Sequence, residues 1–272
     1  MINTHIHSKY SCDSTEDIDR ICKFAISKGL TGIAITDHVA VWRYGDTFDK
    51  SDLVSCKNDI IKLREKYKGK LKILFGMEIS EYHYNPSFVE KAFSVGDYDV
   101  VLCSLHDDIS ITTQNLKLHY IENDFTKYSS EEILAIVKRY YEMLKDAVST
   151  YDYDVVAHLT YPLRYICVRD KIDFDFNLVI EDIIEILKII IKRNKALELN
   201  TSNAQDGFFM PNEAILKLYK KMGGELITLG SDAHIAEKVD NGLREGKELL
   251  KKCGFTKYYY YENRQPKIAE TL

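Results

Sequence analysis

Residues 176–200 read FNLVIEDIIEILKIIIKRNKALELN, and residues 212–234 read NEAILKLYKKMGGELITLGSDAH. Each begins with apolar residues returning every three or four positions and ends in a short apolar run, a helix period followed by a strand. Outward from this pair the same unit recurs along the chain. Strand-like runs stand near 2–5, 32–36, 71–77, 99–105, 154–158, 196–200 and 225–230. Helical spacing covers 15–28, 51–67, 86–95, 129–150, 176–193, 212–222 and 235–252. Ser14 or Thr15 is expected to open the first helix, Gly29 to close it, Ser129 with Glu132 to form a capping box, and Gly223-Gly224 to stop the sixth helix. Strict alternation predicts an α/β fold with a parallel sheet, either doubly wound and open or closed into a barrel. No linker-like tract interrupts it, so a single domain over 1–272 is expected, with only Tyr258–Tyr261 reading as low complexity. The longer connections at 39–50, 106–128, 159–175 and 201–211 all follow strands, which in such folds brings them to one face.

Composition excludes several classes. The 272 residues are 45% hydrophobic and 29% charged, with 4 Pro, which is the balance of a folded chain rather than a disordered one. A net charge of −5 supplies no overall positive field and argues against non-specific nucleic-acid binding. The six cysteines form no CxxC pair and MINTHIHSKYSCDS lacks a basic region followed by an apolar one, so a reducing cytoplasm without a signal peptide is expected. The most apolar stretch, 178–191, is broken by Glu181, Asp182, Glu185 and Lys188, so no membrane span is expected.

Six of the eight histidines stand at or just after strand ends: His5, His7, His38, His106, His158 and His234. Glu78 follows ILFGM, Asp232 follows ITLGS, Asp13 lies in the first loop, and the strand at 196–200 offers Glu198 and Asn200. Two residues apart on extended backbone, His5 and His7 point the same way, and Asp232 and His234 repeat that spacing. One histidine alone reads as a satisfied core or surface residue. Six gathered with carboxylates on one rim read as metal ligands. Nine candidates, His5, His7, Asp13, His38, Glu78, His106, His158, Asp232 and His234, exceed what one tetrahedral ion uses and point to two or three ions sharing a carboxylate, with Glu78 the natural bridge.

These residues resemble the polymerase and histidinol phosphatase (PHP) family of metal-dependent phosphoesterases over almost the whole chain. The resemblance is carried by the HxHSxxSxDS pattern of His5–Ser14, Thr36-Asp37-His38, Gly76-Met77-Glu78, His106, His158 and Gly230-Ser231-Asp232-Ala233-His234. Within the family the chain is most similar to the stand-alone histidinol-phosphate phosphatases. The resemblance implies a distorted seven-stranded (βα)7, TIM-barrel-like fold. It also implies a trinuclear site: His5, His7, Glu78 and Asp232 for one ion, Glu78, His106 and His158 for the second, Asp13, His38 and His234 for the third. Nitrogen and oxygen ligands suit Zn, Mn or Fe.

The implied activity is hydrolysis of a small phosphate monoester, first of all L-histidinol phosphate in histidine biosynthesis, by a metal-activated hydroxide attacking phosphorus. Asp37 is the candidate for the proton that the leaving alkoxide requires, or else a carboxylate that orients a ligand. Arg164 matches the position of the branch's phosphate-gripping arginine, while a second arginine of that branch has no counterpart at 202–206. Asn200 would orient substrate or cap the turn after its strand. Trp42, Tyr44, Tyr161 and Tyr165 are candidate pocket walls, and His83 and His119 read as surface or lid residues outside the metal set. The alternatives are a nucleotide or oligonucleotide phosphoesterase of the same family and a non-catalytic metal-stabilised module.

Overall fold

The computed structural model describes residues 1–40, 50–82, 85–108 and 118–272; Trp42, Tyr44 and His83 lie outside the described residues. The strands are β1 (Ile2–Ile6), β2 (Gly32–Ile35), β3 (His38–Ala40), β4 (Lys72–Ser80), β5 (Val100–Ser104), β6 (Asp107–Asp108), β7 (Leu118–His119), β8 (Val155–Val156), β9 (Ala196–Asn200), β10 (Ile227–Gly230), β11 (Lys257–Glu262) and β12 (Gln265–Thr271). The longer helices are α1 (Ile18–Ser27), α2 (Ser51–Lys66), α3 (Pro86–Phe93), α4 (Ser130–Thr150), α5 (Ile180–Lys192), α6 (Glu213–Lys221) and α7 (Leu243–Lys252). A ten-stranded sheet runs in the order β1-β2-β4-β5-β8-β9-β10-β11-β12, with β3 beside the end of β4. All neighbours from β1 to β11 are parallel, and β12 returns antiparallel to β11.

The count of seven strands is therefore exceeded. Tyr258–Tyr261 is strand rather than low-complexity tail, because Tyr258 and Tyr261 are buried while the tyrosines between them are partly exposed. Tyr261 fills the space between Ala34, Leu74, Val100, Val155 and Ala196 on one face of the parallel strands. The opposite face, with Ile33, Ile73, Phe75, Val101 and Leu197, packs with Ile21, Leu144 and Ile186 of the helices in the larger core. At the far end of the strand order, β1 meets the segment after β10: Asp232 N donates to His5 O and His7 N to Ala233 O, each at 2.9 Å.

Helix ends follow local chemistry, with two departures from expectation. Asp17, not Ser14 or Thr15, caps α1 by accepting from Asp19 N, while Ser14 Oγ donates to His234 O at 2.8 Å. The last helix opens at Leu243 instead of 235, because Gly242 adopts φ +65° against Thr201, where a Cβ would sit 2.8 Å from the Thr201 carbonyl. The Ser129–Glu132 capping box forms on α4. Among the described residues no helix is long and apolar enough to cross a membrane.

Candidate metal centre

Strand periodicity builds the site. On β4, Leu74, Gly76 and Glu78 share a face; on β9, Ala196, Glu198 and Asn200 do, and the row 228, 230, 232 continues it beyond β10. Leu74 and Ala196 lie in the inner apolar layer, so the same rows deliver Glu78, Glu198 and Asp232 above it at the C-terminal strand ends. The β3–β4 register sets His38 directly beside Glu78. Gly76 admits this packing because a Cβ there would lie 2.7 Å from the Val100 carbonyl and 2.9 Å from Thr36. A bulge between Asn3 and Ile6 re-aims β1 at His5. Two ligand candidates hold uncommon positive φ, His158 at +23° and Asp232 at +54°, the kind of strain that collects at functional sites.

Glu78 is completely buried, and five imidazoles surround its carboxylate. Oε2 lies 3.2 Å from His5 Nε2, 3.4 Å from His7 Nε2 and 3.0 Å from His38 Nδ1; Oε1 lies 3.2 Å from His106 Nε2 and 2.7 Å from His158 Nε2. Asp232 Oδ1 stands 3.2 Å from His7 Nε2 and 3.6 Å from His5 Nε2. Asp13 Oδ2 is shared by His38 Nε2 at 3.2 Å and His234 Nε2 at 3.1 Å. All nine candidates thus converge. The groups with ligand atoms close enough to share an ion are His5, His7 and Asp232; His38, Glu78 and His106; and His7, Asp13, His38 and His234.

The donor set fits divalent cations. His5 Nε2 and His7 Nε2 face each other at 3.0 Å, where a single proton serves two nitrogens that a cation would satisfy together. His38 Nδ1 is buried without a hydrogen bond although Glu78 Oε2 is 3.0 Å away, the relation of two ligands aimed at a common point rather than of donor and acceptor. No thiol belongs to the groups, and nitrogen with carboxylate oxygen suits Zn, Mn or Fe. Burial opposes charge on Glu78, but His38, His5, His106 and His158 together hold its carboxyl well below the usual range.

A cavity of about 330 Å³ opens over the centre, lined by Asp13, His38, His106, Asp232 and His234 together with Cys12, Asp107, Ile121, Tyr161, Arg164 and Tyr165. Arg164 lies over Tyr161 and Tyr165, its guanidinium carbon 5.7 and 5.5 Å from the ring centres, with Nη1 3.6 Å from Asp232 Oδ2. The ring of Tyr161 packs 4.8 Å from His106 and 4.9 Å from His158. A neighbouring cavity of about 230 Å³ shares Arg164, Asp232 and His234 and adds Ser202, Ser231, Lys238 and Asn241.

Asp37 takes a different place from the ligands. It is fully buried, does not line either cavity, and accepts from Ser8 N and Ser8 Oγ and from Cys56 Sγ. It therefore braces the loop after His7, with no contact to the cavity where a leaving group would stand. Asn200 donates to Glu198 Oε2 at 3.2 Å and Asp232 Oδ2 at 3.4 Å and accepts from Ser202 N, so it orients a ligand and caps the turn at once. His119 is not a free surface residue: its Nδ1 lies 2.9 Å from Asp107 Oδ1, and Asp107 is part of the cavity wall. Glu198, left outside the ligand set, accepts from His5 Nδ1 at 2.7 Å. Its inward position two residues after Ala196 was the available signal.

Residues 3–202 match the model of the PHP domain family. The histidinol-phosphatase of Lactococcus lactis subsp. lactis is 30% identical over 260 residues, which cover 93% of this chain and 91% of that protein. The crystal structure of histidinol phosphate phosphatase from Lactococcus lactis subsp. lactis, complexed with zinc, L-histidinol and phosphate, superposes with a TM-score of 0.81 at 26% identity over 98% of each chain. A structure from Listeria monocytogenes matches with a TM-score of 0.73 over 90% of this chain and 99% of that one; at 18% identity this is a likeness of fold.

Proposed function

This chain belongs to the PHP domain family, and from that premise and the centre around Glu78 we propose that it is a metal-dependent phosphomonoesterase hydrolysing L-histidinol phosphate to L-histidinol and phosphate, a step of histidine biosynthesis. The observation that carries the reading is one buried carboxylate within 3.4 Å of five imidazole nitrogens, two of them from histidines that line a cavity which also presents an arginine. His5, His7, Glu78 and Asp232 would hold one divalent ion, Glu78, His106 and His158 a second, and Asp13, His38 and His234 a third, with zinc the first ion to test and manganese or iron next. Bound there, such ions neutralise phosphoryl charge and acidify water for attack on phosphorus.

The chain's own residues divide the remaining work. Arg164, lying over two tyrosine rings and half-buried, presents a planar fork to phosphate oxygens. Lys238, across the adjoining cavity, brings a second cation to the same end and takes over the charge that no arginine at 202–206 supplies. Tyr161 and Tyr165 offer flat faces to an imidazole ring. Asp37 positions the ligand loop through Ser8, and Asn200 steadies Asp232. The parallel array is read as one domain over 1–272 closing into a distorted (βα)7 barrel, which the bonds between β1 and the segment after β10 support. Six cysteines with no CxxC pair among them accord with a cytoplasmic setting.

Phosphate release from purified, metal-analysed protein tests the function. L-histidinol phosphate is expected to be hydrolysed in preference to mononucleotides, sugar phosphates and an aryl phosphate, with activity lost after chelation and recovered with zinc. A preference for another ester by the fully loaded protein would overturn the substrate; inertness toward all of them would overturn the enzyme.

A further inference from the structure

Glu198 is fully buried, lines neither cavity at the site, and spends both carboxylate oxygens on the metal centre's own residues. Oε1 receives His5 Nδ1 at 2.7 Å; Oε2 receives His158 N at 2.8 Å and Asn200 Nδ2 at 3.2 Å. A carboxylate only accepts, so the Nδ1 of His5 must carry the proton. That leaves His5 Nε2 for the opposite side, where His7 Nε2 at 3.0 Å, Glu78 Oε2 at 3.2 Å and Asp232 Oδ1 at 3.6 Å converge. The bond to His158 N falls on the residue whose φ of +23° is otherwise costly, and so holds His158 Nε2 toward Glu78.

The strand next to β9 is shaped for this reach. Gly230 pairs with Asn200 in the β9–β10 register, and a Cβ at 230 would lie 2.3 Å from Glu198 Oε1 and 2.6 Å from His5 Cβ. The glycine thus leaves the gap through which the carboxylate meets His5. We propose that Glu198 is a positioning residue of the centre, fixing the tautomer and aim of His5 and the backbone of His158, and that Gly230 is the residue that permits it. The inference rests on the metal-centre reading and not on the identity of the ester.

Zinc affinity, measured by competition with a chromogenic chelator on the whole purified protein, tests it independently of substrate. Glu198→Gln keeps shape but presents one amide NH2 where two acceptors are needed, so it faces either His5 Nδ1–H or His158 N–H with a donor. It is expected to weaken zinc binding by roughly 10- to 100-fold while the metal-free protein keeps its circular dichroism and a cooperative melt. Gly230→Ala is expected to reproduce the loss with Glu198 still present. If Glu198 works through His5, the losses of Glu198→Gln and His5→Ala combine to less than their product, whereas a general structural effect would multiply. Should Glu198→Gln fail to fold, Glu198→Asp, which withdraws both acceptors by one methylene, carries the same criterion. Parent-like zinc affinity in a folded variant, or multiplying losses, would overturn the proposal. A parent protein that binds zinc but spares L-histidinol phosphate would overturn only the substrate, and one that binds no zinc would overturn the centre and this inference together.

Discussion

Burial opposes a charge on His5, His38 and His234, yet Glu198 and Glu78 beside the first, Glu78 and Asp13 beside the second, and Asp13 and Asp232 beside the third raise all three above the ordinary histidine value. Burial instead lowers His7 to about 3 and His106 to about 4. An entering ion therefore competes with protons more strongly at the first three imidazoles than at the other two. Zinc affinity is expected to rise steadily between about pH 6 and 8, with protons released into weak buffer on binding; a flat profile would contradict the assignment. Arg164, in the proposed reading, serves the substrate rather than the ions. Arg164→Ala is expected to cut kcat/KM by about 10- to 100-fold through loss of a charge-assisted phosphate contact, at unchanged zinc content. The nine ligand candidates were legible because strand ends concentrate them; Glu198 was legible only as an inward residue of its strand, and its partner His5, like the place of Asp107 in the cavity wall, was not, since spacing along one strand does not say which distant side chain it meets.

Strand β4 shows how an element serves the site. Its inner row runs from Leu74 in the apolar layer through Gly76 to Glu78, and β3 and β5 close on it where Gly76 has no side chain. Gly76→Ala is expected to cost about 1–3 kcal/mol by overpacking against Val100 and Thr36, and to lower zinc affinity as Glu78 shifts; thermal melts and chelator competition read the two effects. The short 3-10 turn Ala236–Lys238, where one continuous helix from 235 was expected, brings Lys238 to the smaller cavity beside Arg164. Lys238→Ala is expected to raise KM several-fold with kcat little changed, and an unchanged KM would remove Lys238 from the phosphate end. Helix periods were readable in the chain; the break before Gly242 was not, because it arises from the approach of Thr201, 41 positions away in contact terms set only by the fold.

At the scale of the whole molecule, the β11–β12 hairpin seals the end of the sheet opposite the metal centre. Its turn is tied down by Arg264 to Asp154 and Asp152, and by Asn263 N to Asp99 Oδ1 at 3.0 Å, at the N-terminal ends of β5 and β8. Arg264→Ala leaves the buried Asp154 with only the more distant Lys195 as a cation and is expected to cost about 1–3 kcal/mol in a thermal or denaturant melt, with KM unaltered because the site lies at the other strand ends. Alternation of helix and strand, and the gathering of His, Asp and Glu candidates about the ends of strands, were determined by sequence alone, since periods of 3.6 and 2 and the chemistry of these side chains are local properties; that His38 opens a strand of its own beside Glu78 was not. The strand count, the burial of Asp37 away from the cavity, the pairing of His119 with Asp107 and the bracing of His5 by Glu198 were decided only by tertiary structure. Each depends on which distant strands and loops become neighbours, and a local period carries no information about that.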